Sequence, residues 1–186
     1  AFSTGMGSTD LAFAMITGGN WFKVPESIKV VLSGKPGKYT TGKDIILEII
    51  RMIGVDGALY RTLEFTGSTI EHLTMDDRFS MCNMAIEGGG KNAVIEADEV
   101  TLKYVKERTN KPYNVYRSDH DANYYFKKTY DASTMEPIIA KPHSPGTLIT
   151  SLVREEERLL RISLRKCTAK CPVLAIIWRR MTPTVF

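Results

Sequence analysis

The chain has 186 residues, 43% of them apolar and 25% charged, a length that suits one domain or a large piece of one. These proportions exclude a collagen, a coiled coil and a disordered tail, and no uncharged stretch approaches the ~20 apolar residues of a membrane span. The net charge of +4 is unevenly held: residues 1–146 carry 17 basic and 18 acidic side chains, a net −1, whereas residues 147–186 carry eight and three, a net +5.

In chain order, Ser8 is placed to cap a helix over Thr9–Thr17, with Asp10 in its first turn and Gly18-Gly19 as its stop. Trp21–Val24 and Ile28–Leu32 read as two strands parted by Pro25, and Gly34–Gly37 as the turn that closes them. A helix is expected from near Thr41, because Ile45, Ile46, Ile49, Ile50 and Ile53 recur at helical spacing before Gly54. After the Val55-Asp56-Gly57 turn, Ala58–Phe65 has the character of a strand. Thr74, with Asp77 three residues on, is a capping box opening a helix to Glu87, where Gly88-Gly89-Gly90 breaks it. Ala93–Ile95 is a short buried strand, and Asp98 caps a helix to about Arg108. An irregular stretch rich in Tyr and Asp follows. Strands alternating with helices of this length predict an α/β layered domain over residues 1–146. All 14 glycines and every Asp precede Thr147, so residues 147–186 are expected to be an atypical basic tail.

The candidate chemistry lies in the helix over Thr74–Glu87. Asn83 and Glu87 are four residues apart and would share one helical face, and the carbonyl end of a helix disfavours an ionised carboxylate. That suits acid/base work, although an exposed terminal Glu needs no such role. The run Gly88–Lys91 lacks the spacing of a phosphate loop and ends a helix instead of starting one. Gly5–Thr9 is a better anion nest, but such a segment is more often a simple cap. His72, His120 and His143 show neither ligand spacing nor an orienting acid. The basic residues of the tail alternate with Leu, Ile and Val and not with stacking aromatics, so nucleic-acid binding is not expected. Cys82, Cys167 and Cys171 are an odd number without a leader sequence. The opening Ala-Phe-Ser-Thr-Gly reads as mid-protein sequence, and a reducing, cytoplasmic setting is expected.

Six blocks carry more than composition can: Gly5–Asp10, Trp21–Lys29, Gly54–Ala58, Glu64–Gly67, Met81–Glu87 and Pro142–Pro145. In this order they resemble the aconitase superfamily, and within it the hydro-lyase large subunits of the 3-isopropylmalate dehydratase type. The resemblance implies an α/β/α layered domain, incomplete here. It also implies dehydration and rehydration of a hydroxy acid such as isopropylmalate, in leucine biosynthesis, on a four-iron, four-sulfur cluster. A small subunit would complete the site. Asn83 would lie beside the cluster and Glu87 would reach substrate or bound water. Cys82 would be a small buried residue, not a ligand.

Past Gly146 the family motifs stop matching, and Thr147–Thr150 can be coded so that a shifted frame yields the family's Asn-Val-Asp-His. Cys167, followed by Thr168, falls where the family's first cluster cysteine is expected, and the later Cys-x-x-Cys pair is missing. The chain alone is therefore expected neither to assemble the cluster nor to turn over substrate. The alternative is a non-catalytic scaffold or binding protein whose basic tail holds a partner.

Overall fold

The computed structural model describes residues 1–150, which lie in one compact unit, Ala1–Ser151. Its frame is a five-stranded sheet. The strands are β1 (Phe2–Thr4), β2 (Ser27–Ser33), β3 (Thr62–Thr66), β4 (Asn92–Ile95) and β5 (Phe126–Asp131), in the spatial order β1-β4-β3-β2-β5. The pairs β4·β3, β3·β2 and β2·β5 are parallel, and β1 closes one edge antiparallel. The helices are α1 (Ser8–Thr17), α2 (Gly42–Ile53), α3 (Met75–Asn83) and α4 (Glu99–Lys106). A small antiparallel hairpin, β6 (Ile138–Ala140) with β7 (Leu148–Thr150), follows. This is the α/β class expected, with parallel pairing dominant.

Register and pleat put most apolar residues of the sheet on one face. Ile28 pairs with Leu63 and Leu63 with Ala93, Val30 pairs with Phe65 and Phe65 with Ile95, and Leu32 pairs with Tyr130; all eight are buried. Against them pack Ile45, Ile46, Ile49 and Ile50 of α2, Met81 and Cys82 of α3, and Ala85. The opposite face of the parallel strands, apart from Val31 and Val94, is polar. There Lys29 pairs with Glu64 at 3.2 Å, and the Tyr124 hydroxyl and Ser118 hydroxyl each reach Glu64 at 2.9 Å. A second helical layer is not supplied by buried residues of α1, which has none, or of α4, which buries only Thr101.

Local signals set most element ends. Thr74 and Asp77 form the expected capping box, with the Thr74 hydroxyl donating to Asp77 at 2.6 Å and accepting from the Asp77 amide at 3.2 Å. Asp98 caps α4 by accepting from the Thr101 amide. Gly18 ends α1 in the left-handed region, at φ 76°.

Five expectations are corrected. The N-cap of α1 is Gly7, one residue before Ser8, and no side chain caps it. Trp21–Val24 forms no strand, because both edges of β2 are already taken by β3 and β5. Residues 58–61 are turn and not strand: the Leu59 amide donates to Asp56 and the Arg61 amide to Ala58, Tyr60 sits at φ 52°, and β3 begins at Thr62. The helix from Thr74 is α-helical only to Asn83, with Met84–Gly88 wound as a tighter 3-10 turn. The strand β5 also arises from the stretch expected to be irregular.

Candidate functional site

The Cys82–Glu87 block lies at the junction of α3 and the 3-10 turn. Cys82 faces the core and is 2% exposed. Burial pushes its thiol up to about 11, which disfavours the thiolate a metal would need. Asn83 and Glu87 are both exposed, one at the last residue of α3 and the other in the 3-10 turn. Because the winding tightens between them, the strict four-residue face of an α-helix does not relate the two side chains.

The turn is held from three sides. Gly89, at φ 80°, closes it, and the Gly89 and Gly90 amides donate to the Ile86 and Ala85 carbonyls. These two amides are therefore spent on the helix end, not presented to an anion. The Gly88 and Gly89 carbonyls accept from the Ala58 and Tyr60 amides at 2.9 Å each, so the 55–61 turn props up the glycine run. Ile86 packs on the Gly5 backbone so closely that a Cβ there would come within 2.6 Å of Ile86 Cδ1. A side chain at Gly5 would have to displace the tip of Ile86, and two of the sequence blocks, Gly5–Asp10 and Met81–Glu87, are in direct contact. Lys91 seals the corner: its amide carbonyl accepts from the Gly5 amide at 3.2 Å, and its Nζ donates to the Gly5 carbonyl at 3.1 Å. The Lys91 side chain also borders a cavity of about 460 Å³ with Thr9, Asp10, Phe22 and Tyr60.

The inner side of α3 contains a residue that the sequence reading missed. Arg78 is fully buried and forms a two-pronged pair with Asp98, Nη1 to Oδ1 at 2.5 Å and Nη2 to Oδ2 at 2.7 Å. It also donates to the Ile70 carbonyl and the Thr101 hydroxyl. The Arg78 guanidinium holds the Asp98 carboxyl well below the usual carboxylate range, against the opposing effect of partial burial. One side-chain pair thereby fixes α3 to the start of α4. A signal was available: Arg78 falls three and four residues from Met75, Met81 and Cys82, on the buried stripe of α3, where a guanidinium requires a partner.

The other candidates do not converge. His72, His120 and His143 are exposed on separate segments. Among the described residues no group of three His, Cys, Asp or Glu side chains is placed to hold a metal ion. The described residues do not fit an iron–sulfur cluster, since their one thiol is the buried Cys82. Cys167 and Cys171 lie outside the described residues. Also among the described residues, no helix is long and apolar enough to cross a membrane.

Comparison with known proteins covers nearly all of this frame. The pattern of the aconitase family (aconitate hydratase) matches residues 1–168, a span that runs past Gly146 and includes Cys167. The 3-isopropylmalate dehydratase large subunit of Sulfurimonas denitrificans is 59% identical over 172 residues, which are 90% of this chain and 41% of that protein. The protein of the same name from Sulfurovum sp. is 54% identical over 177 residues, 90% of this chain and 41% of its own. That of Acetivibrio thermocellus is 59% identical over 150 residues, 81% of this chain and 36% of its own. The chain spans about two-fifths of the length of these curated relatives. With the family pattern covering both motif blocks that meet at Gly5 and Ile86, the chain belongs to the aconitase family.

Proposed function

We propose that this chain is a piece of a hydro-lyase large subunit of the 3-isopropylmalate dehydratase type, acting in leucine biosynthesis on a hydroxy acid. The observation that carries it is the contact of the Gly5–Asp10 and Met81–Glu87 blocks through Ile86 and Gly5, with Asn83 and Glu87 exposed on the segment that makes it. An exposed carboxylate on a turn braced by Gly5, Ala58 and Tyr60 is a group held by backbone and free at its tip, as a general acid or base must be. Asn83 offers an amide able to donate to a substrate oxygen and accept from its hydroxyl. The family's four-iron, four-sulfur cluster belongs to this reading only through residues outside the described part, of which Cys167 is the candidate ligand. The intact protein would pair with a small subunit in the cytoplasm, and this chain alone would be inactive. The composition boundary at Gly146 enters as a change in sequence character, and the gene's nucleotide sequence decides whether it marks a shifted frame.

The test grafts residues 1–146 into the Sulfurimonas denitrificans large subunit in place of the matching segment and assays the hybrid with its small subunit. Turnover of isopropylmalate is expected, and Glu87→Gln in the hybrid should lower it by about 10²–10⁴-fold with little change in thermal midpoint. Near-normal turnover by that variant would return Glu87 to a plain solvated turn residue.

A further inference from the structure

The helix α1, Ser-Thr-Asp-Leu-Ala-Phe-Ala-Met-Ile-Thr, is apolar nearly all round, with Asp10 its one charge, yet none of its residues is buried. A helix of that composition belongs in an interior, since a surface helix keeps one polar face. Its exposed Leu11, Phe13, Met15 and Ile16 are followed by Trp21 and Val24, and Ile16 and Trp21 are 85% and 83% exposed. Scattered single apolar residues on a surface are ordinary, but seven within fourteen positions, Trp21 and Phe22 among them, form an interaction surface.

Three occupants are conceivable: a second copy, residues 151–186 of this chain, and further polypeptide of the family fold. The comparisons favour the last. The segment lies inside the family match, and in the Sulfurimonas denitrificans relative the matched part is only 41% of the protein. The same element therefore sits there in a chain more than twice as long, with ample polypeptide to bury it. We propose that Leu11, Phe13, Met15, Ile16, Trp21 and Val24 form a docking surface for the remaining polypeptide of an aconitase-family large subunit, so that α1 is an interior helix of a composite fold. This rests on family membership and not on the catalytic reading, and none of its three readouts uses turnover.

The experiment takes the full 186-residue chain and the complete Sulfurimonas denitrificans large subunit and places Asp at Ile16 or at its aligned position. Ile16→Asp should leave the thermal midpoint of this chain unchanged, and its counterpart should lower that of the complete subunit by 5 °C or more. Amide exchange over residues 8–24 should be at least tenfold slower in the complete subunit. Co-expression of the tagged chain with the complementary part of that subunit should give a one-to-one complex, with Ile16→Asp reducing capture at least tenfold. The proposal is overturned by an equally small effect of Asp in both proteins. It is equally overturned by slow exchange at 8–24 in the monomeric chain, which would assign the surface to residues 151–186, or by a concentration-dependent dimer protecting those amides.

Discussion

Helices α1 and α2 are near neighbours in sequence, similar in length and both rich in apolar residues, yet α2 buries six of its twelve residues and α1 none of its ten. The difference lies in pattern. In α2 the isoleucines fall on one stripe with Lys43, Asp44, Glu48 and Arg51 among the other positions, so a single sheet face satisfies it. In α1 apolar residues occupy every side, and one sheet face could not cover them. Apolar content says that a helix wants burial; its periodicity says how many partners that takes.

The sharpest way to break this comparison is a matched truncation. Ile46→Ala in α2, at a site with no exposure, should cost about 2–5 kcal/mol through lost transfer energy and a residual cavity. Chemical denaturation of the two proteins measures it, and a loss below 1 kcal/mol would mean that α2 is not the core helix its stripe indicates.

A smaller effect is expected one helix further on. Asp98→Asn should remove the charge that compensates buried Arg78 and cost about 1–3 kcal/mol, below the full cost of splitting a buried pair because the Asp98 side chain is 34% exposed. The same pair predicts a pH dependence. Asp98 is depressed in the folded chain, so its contribution is complete above the ordinary carboxylate value of about 4. As pH falls below that value the unfolded chain takes up the proton first and stability declines, the contribution being lost as pH passes through the folded value. Unfolding free energies between pH 5 and about pH 2 should show a shallower decline in Asp98→Asn than in the parent, and parallel curves would remove the pair from the account.

The smallest effect completes the comparison. Ile16→Ala in α1 removes the same kind of side chain as Ile46→Ala, yet at 85% exposure it should change stability by no more than about 0.5 kcal/mol. A cost near that of Ile46→Ala would show that α1 is already buried in the chain as it stands.

What was legible in the sequence follows from how local each signal is. The Thr74–Asp77 box, the Asp98 cap, the Gly18 and Gly54 stops and the isoleucine stripe of α2 depend on contacts within a few residues, and the structure contains all of them. The strand β5 was not legible, because Phe-Lys-Lys-Thr-Tyr-Asp carries charges that only an edge position tolerates, with one side of the strand unpaired. Trp21–Val24 failed in the opposite way. It has strand-like residues, but β2 had no free edge left to pair them.

At the candidate site the division is similar. The Asn83 and Glu87 motif and the glycine stop were visible as sequence, and so was the resemblance that grouped the motif blocks. The sequence by itself determined the α/β class, the capped and glycine-stopped helix ends at Thr74, Asp98, Gly18 and Gly54, and the family, since each rests on short-range chemistry or on an ordered set of residues. Only the tertiary structure decided that Ile86 closes on Gly5 and that Arg78 reaches Asp98 twenty residues away. It also decided that the last turn before Glu87 tightens and that α1 is left uncovered among the described residues. Each of these depends on which surfaces meet, and a linear pattern records a residue's preference for burial without recording what arrives to bury it.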